Sequence, residues 1–305
     1  MRVISEARVK AVWLSFGNEI ERFVRLFRER EIEGGEGRVG EERLRIFVMV
    51  GTVEHALQVA QWGEVDVVVC QGSFPSLHNS YSRILILRDC TGIEAGGHGL
   101  SAALPLLSLL PQIKAAYSLL PKSTPLPLLV AAGGLVSGSH LVSVLPYCSG
   151  IVLGTAFLAT PESLYTDAQK ALILASNGSD TLRTSTFDYC RDTLGFPGGV
   201  NGRAIGNVIS RAGGEGKMGA SEWTEELKAR YAEGAKEQDV ERIVTWAGES
   251  YFSLFSKLRN WELMNDWIVG TSVGSIKKIT PAAELVREIE TEALAVLDTL
   301  SSLRK

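Results

Sequence analysis

Leu126-Pro127-Leu128-Leu129-Val130-Ala131-Ala132-Gly133-Gly134, followed by Gly150-Ile151-Val152-Leu153-Gly154-Thr155, is the pair of stretches that decides the fold. Each is a short, mostly apolar run closed by glycine. Such runs read as strands buried on both faces, the pattern of a parallel sheet covered by helices. Outward from this pair the unit recurs: Val12 to Gly17, Ile46 to Gly51 and Val65 to Gly72 are three more apolar runs ending in glycine. Helical patterns separate them. Glu19 to Arg30 places Ile20, Phe23, Val24 and Phe27 on one face, and Thr52 N-caps a helix running through Ala60. Ser137 to Leu145 is a short helix, and Thr160-Pro161-Glu162 opens another. Strands alternating with helices give an α/β fold. In doubly wound sheets and (β/α)8 barrels alike, ligands bind at the C-terminal strand ends, where these glycines sit.

Composition narrows the function classes. The 305 residues are 45% apolar and 22% charged, enough chain for one large domain or two smaller ones. A net charge of −4 suggests neither a nucleic acid nor an anionic membrane as partner. Cys70, Cys90, Cys148 and Cys190 form no CxxC pair and read as isolated thiols of a reducing, cytoplasmic compartment. No run reaches the roughly 18 apolar residues of a membrane span. Met1 to Lys10 is charged, without a signal peptide's apolar centre.

Candidate site residues cluster at glycines. Gly133-Gly134 and Gly154-Thr155 follow consecutive strands, so their backbone N–H groups can converge on a phosphate, with the Thr155 hydroxyl beside them. The structural alternative is two tight turns needing positive φ; two such loops in succession favour the phosphate. Gly92-Ile93-Glu94-Ala95-Gly96-Gly97-His98-Gly99 precedes a long apolar helical pattern, Leu100 to Leu120, so His98 is expected at a helix N-terminus. Gly96 and Gly97 allow close approach of backbone to a ligand. His98 suits a general base near neutrality; otherwise it is a helix-start hydrogen-bond donor. Glu94 reads as structural. Gln71, at a strand end, either hydrogen-bonds a flat heterocycle or satisfies loop backbone. His55, His78 and His140 have no ligand spacing and read as surface or capping residues.

Beyond about Ala171 the pattern changes. Arg183 to Asp188 reads as one further strand, and Gly195 to Gly199 and Asn201-Gly202-Arg203 as turns. Glu222 to Lys236 and Val240 to Leu258 read as helices, with Trp223, Trp246 and Trp261 as packing residues. The last helix, from Thr280-Pro281, carries Leu285, Ile289, Val296 and Leu300 on one stripe. The expected division is a barrel over 1–170, with 280–305 packing back on it, and a smaller, mostly helical domain over 171–279.

These motifs resemble one family. Gln71-Gly72 with Glu94-Ala95-Gly96-Gly97-His98 looks like the QG-x-EAGGH motif of nitronate monooxygenases, formerly 2-nitropropane dioxygenases. Val130 to Leu135 is similar to their phosphate loop, and Leu153 to Glu162 to their last barrel strand and following helix. The resemblance implies an α/β (β/α)8 TIM-type barrel with an added, mostly helical domain. It implies FMN as cofactor, no metal, and oxidation of a small nitronate or nitroalkane by O2; a homodimer stays open. His98 would be the base toward a neutral nitroalkane, and Gln71 would contact the flavin. Gly133, Gly134, Gly154 and Thr155 would hold the FMN phosphate, and Gly96 and Gly97 would lie against flavin or substrate. Alternatives are a related flavin-barrel enoyl reductase, or a non-catalytic remnant of the family.

Two departures accompany the resemblance. Only Met1 to Ala11 precedes the first strand, and five barrel strands are read where eight are expected, so the barrel is expected to lack its N-terminal strands. Ser73 to Gly92 separates motif halves that are nearly contiguous in the family. The expectation is a truncated or mis-spliced chain in which this insert is a retained non-coding segment.

Overall fold

The computed structural model describes residues 9–15, 17, 19–33, 43–71, 94–100, 104–196, 198–213, 223–245 and 271–303. The insert at 73–92, His78, Cys90, Trp246 and Trp261 lie outside them.

All five apolar runs form strands of one parallel sheet: β1 (Ala11–Leu14), β2 (Arg45–Val50), β3 (Val67–Gln71), β5 (Leu128–Ala132) and β6 (Ile151–Val152), in the order β1-β2-β3-β5-β6. Each strand lies beside the next of the series, as in the wall of a (β/α)8 barrel. Crossover helices link them: α1 (Ile20–Glu33), α2 (Val53–Trp62), α3 (Leu106–Ser118) and α4 (Gly138–Val144). Thr52 accepts from the His55 N–H, so the expected cap is present. Val24, Ile46, Val48, Val50, Val68, Val69, Leu109 and Ile113 are fully enclosed in one core between sheet and helices.

The sequence suggests a helix directly after His98. Instead, Gly97–Leu100 is β4, and helix α3 begins only at Leu106. β4 pairs antiparallel with β8 (Val200–Ile205), which pairs with β7 (Thr181–Thr184), giving a second sheet in the order β4-β8-β7. Three further expectations change with it. Asn201-Gly202-Arg203 is the buried centre of β8 and not a turn. Arg183 and Thr184 end a strand, while Thr186–Cys190 is the short helix α7. His55 is buried in the first turn of α2 rather than on the surface.

Around this second sheet lie α5 (Thr155–Leu158), α6 (Asp167–Ala175), α8 (Val208–Ala212) and α9 (Glu225–Glu237). A second core gathers Phe187, Ile173, Ile209, Ala204 and Val273. The last helix, α10 (Ala282–Ser302), packs Ile289 and Ala293 against Gly138 of α4, while Leu300 of the expected stripe is exposed. Glu292 of α10 accepts from the Gly138 and Ser139 N–H groups at 3.0 and 3.1 Å, capping α4 from outside.

Candidate functional site

Register gathers the strand-end residues. Gln71 ends β3 with Ala132 as its Cα partner, and Ala132 pairs with Val152 of β6. Gly133-Gly134 and Gly154-Thr155 therefore lie side by side at the sheet's C-terminal end, with Gln71 one strand away. Gly133 has φ 108 and Gly134 φ 68, which side chains rarely adopt. A Cβ on Gly133 would lie 2.8 Å from the Ala95 Cβ, and one on Gly134 2.8 Å from the Glu94 Cβ. The two glycines thus let Glu94-Ala95 lie directly on the turn. Thr271 N–H donates to the Glu94 carbonyl at 3.0 Å, and Ser272 Oγ donates to the Gly134 carbonyl, which pins the stack from above. Among the described residues, the N–H groups of Gly134 and Gly154 donate no hydrogen bond, while that of Gly133 faces the Val152 carbonyl as the β5–β6 ladder ends. Thr155 is buried at the start of α5. The Glu94 carboxylate accepts from the Leu106 N–H at 3.1 Å, so Glu94 caps α3, the structural role expected of it.

From Ala95 the chain runs through Gly96 into β4, where Gly97 (φ 85) and His98 pair with Arg203 and Gly202. His98 Nε2 lies 2.8 Å from Asp188 Oδ1 on α7, and both side chains are largely enclosed. Thr193 Oγ1 donates to the same Asp188 oxygen at 3.1 Å. The Phe196 ring stacks on the imidazole, with centroids 3.8 Å apart and planes 10° from parallel. Because a carboxylate oxygen accepts, Nε2 carries the hydrogen, and Nδ1 carries the lone pair of the neutral ring. Sequence reasoning finds His98 but not Asp188, which lies 90 residues away with no shared period. Phe196 and Thr193 are missed for the same reason.

Other chemistries fit less well. Burial pushes the Cys70 and Cys148 thiols up, and Cys190 up to about 12, so none presents a thiolate near neutrality. Among the described residues there is no group of three or more His, Cys, Asp or Glu placed to hold a metal ion. None of their helices is long and apolar enough to cross a membrane.

A sequence model of the family described as nitronate monooxygenase matches residues 36–292. The chain belongs to the nitronate monooxygenase family. A nitronate monooxygenase of Neurospora crassa is 28% identical over 81% of the chain, and nitronate monooxygenase npaC of Metarhizium robertsii is 28% identical over 80%. The chain spans 53% and 59% of those relatives' lengths. Among solved structures, nitroalkane oxidase of Streptomyces ansochromogenes superposes with a TM-score of 0.62 at 22% identity, covering 98% of this chain and 68% of that one. FabK of Thermotoga maritima gives 0.60 at 19%, covering 99% and 73%. At these identities the two superpositions speak for the fold, an α/β barrel, which agrees with the sequential parallel sheet. The family membership agrees with the strand-end and EAGGH motifs.

Proposed function

We propose that this member of the nitronate monooxygenase family oxidises an alkyl nitronate with molecular oxygen, using FMN held at the ends of β3, β5 and β6. The observation that carries the reading is the enclosed pair His98–Asp188, joined by the Glu94–Gly97 segment to the strand-end turns. The donor set fits the cofactor. Two N–H groups without a partner among the described residues, those of Gly134 and Gly154 on adjacent turns, suit a phosphate, and the Gln71 amide at the same sheet end suits ring heteroatoms. Bound FMN would supply the electron transfer between nitronate and oxygen.

The chain's own residues account for the proton. A neutral nitroalkane must lose a proton from the carbon next to the nitro group. His98 takes it at Nδ1. Asp188 accepts the Nε2 hydrogen throughout, which fixes the tautomer and stabilises the imidazolium once formed. Thr193 steadies the Asp188 oxygen, and Phe196 shields one face of the ring from water. The likeness to FabK is one of fold alone and favours no second substrate.

The test is the visible spectrum of the purified chain with and without added FMN. The expected result is flavin bands shifted from those of free FMN, bleached anaerobically by a nitronate. In His98→Asn, bleaching by a neutral nitroalkane should be lost while bleaching by the nitronate persists. A folded chain that takes up no FMN would overturn the reading.

A further inference from the structure

Among the described residues, Arg183 is a cation held in place without a carboxylate. It stands on β7 with Arg203 of β8 as its Cα partner, and Gly97 of β4 completes the same row. Arg183 Nε donates to Asn201 Oδ1 at 2.8 Å, Nη2 to the Asn201 carbonyl at 2.8 Å, and Nη1 to the Ala95 carbonyl at 3.4 Å. All three acceptors are neutral. A guanidinium has five N–H donors, so among the described residues one on Nη1 and one on Nη2 remain. The charge facing Arg183 across the strands is Arg203, and like charges directly opposite in a sheet are destabilising. Glu94 acts on Arg203; among the described residues no carboxylate acts on Arg183. Burial, then the Arg203 charge, push the Arg183 pKa down to about 9, as expected where a counter-charge is missing.

The position is specific. Gly97 puts no side chain on the row, and Asn201 grips the fork at two atoms, so its rotamer is preset. Ala95, which receives the third bond, rests on Gly133. The fork thus lies one residue away from the strand-end turn.

We propose that Arg183, oriented by Asn201, is the cationic member of an oxyanion subsite taking a phosphate or carboxylate group. A fixed guanidinium with one free hydrogen on each terminal nitrogen matches two oxygens of such a group. The oxyanion is either the phosphate of the proposed flavin or a group on another ligand, and the two sources give different results.

The experiment titrates the full chain with inorganic phosphate at constant ionic strength, then with FMN and with riboflavin, following heat and thermal stabilisation. Wild type should bind phosphate saturably. Arg183→Gln should weaken that binding about tenfold or more, the scale of a lost charge-assisted bond, with Arg183→Lys between them. If the group is the flavin's phosphate, R183Q weakens FMN likewise, leaves riboflavin unchanged, and FMN displaces phosphate. If it belongs to another ligand, flavin-loaded wild type still binds phosphate and R183Q removes only that. Phosphate binding lost in R183Q while neither flavin binds the wild type keeps the subsite and refutes the flavin reading. The proposal is overturned if wild type shows no saturable phosphate binding, or if folded R183Q binds phosphate and FMN as wild type does. Should R183Q not fold, the wild-type titration and R183K decide alone: equal binding by R183K and wild type at every ligand overturns it.

Discussion

Asp188→Asn changes one oxygen to an amide nitrogen and leaves the volume of the side chain intact. Its effect follows from the 2.8 Å contact to His98 Nε2. The native carboxylate can only accept, which makes Nδ1 the basic nitrogen. An asparagine turned with its amide toward the ring donates to Nε2, and the hydrogen moves to Nδ1, where it blocks proton uptake. Turned the other way, its carbonyl preserves the tautomer but no longer offsets the charge of the imidazolium. A hydrogen bond to a charged group contributes about 1.5–3 kcal/mol, which is roughly 10- to 150-fold in rate. Turnover of a neutral nitroalkane should therefore fall about 100-fold. Oxidation of the preformed nitronate, which needs no proton removed, should be unchanged.

The assay compares kcat and KM for both substrates on flavin-loaded wild type and D188N, with a thermal melt to establish folding. Thr193 Oγ1 can still donate to the side chain at position 188 when its carbonyl faces the ring and accept from it when its amide does, and the Thr193 N–H bond to the residue 188 carbonyl at 2.8 Å is untouched, so the local loop has reason to persist. Equal losses on nitroalkane and nitronate would refute the reasoning, because they would place Asp188 in general architecture. Undiminished nitroalkane turnover would refute it too, because the tautomer would not matter.

Three other outcomes are expected. Gly133→Ala sets a Cβ 2.8 Å from the Ala95 Cβ at φ 108, so it should cost about 1–3 kcal/mol in urea unfolding and weaken flavin binding. A folded variant with unaltered midpoint would show that the Glu94-Ala95 stack is not tight. Gly138→Ala meets the Ala293 nitrogen and the Ile289 carbonyl at the crossing of α4 and α10, so limited proteolysis should release the C-terminal helix far faster than in wild type. Burial pushes the His55 imidazole down to about 4, against about 6.5 when unfolded. The unfolded chain then binds the proton first. Stability is full above about pH 6.5 and declines toward pH 4, by roughly 3 kcal/mol at most. Melting temperatures from pH 7 to 4 should slope less in His55→Gln than in wild type, and parallel slopes would contradict the assignment.

What was readable in the sequence follows one physical rule. β2, β3 and β5 are buried on both faces, so their sequences are continuous apolar runs, and the glycines that end them mark the turns. The order of the parallel sheet then follows from successive crossovers. β4 and β8 carry no such signal. Gly97-His98-Gly99-Leu100 has almost no strand propensity, and Val200-Asn201-Gly202-Arg203-Ala204-Ile205 is polar at its centre although every residue is buried. Those polar groups find partners on another strand: Asn201 holds Arg183, and Arg203 Nη1 donates to Thr181 Oγ1 at 2.8 Å. Hydrophobic periodicity cannot register a buried strand whose burial depends on bonds to distant residues.

The same reasoning explains why half of the site is visible in the sequence and half is not. Glu94 to His98 belongs to both sheets: Glu94-Ala95 lies on the Gly133-Gly134 turn, and Gly97-His98 pairs with β8. The phosphate-turn half needs glycine at fixed strand ends, a local requirement that the sequence displays. The half around His98 needs a carboxylate brought in by α7, a ring from Phe196 and a register set by Gly202, none of which is local to His98. A motif could reveal the imidazole but not the partners that surround it. That arrangement arises only when β4 leaves the helical path its flanking sequence suggests and joins the second sheet. The position of His98 therefore rests on β8 and α7, while the strand-end turns rest on the parallel sheet, so the proposed cofactor site and the proposed base draw on different packing.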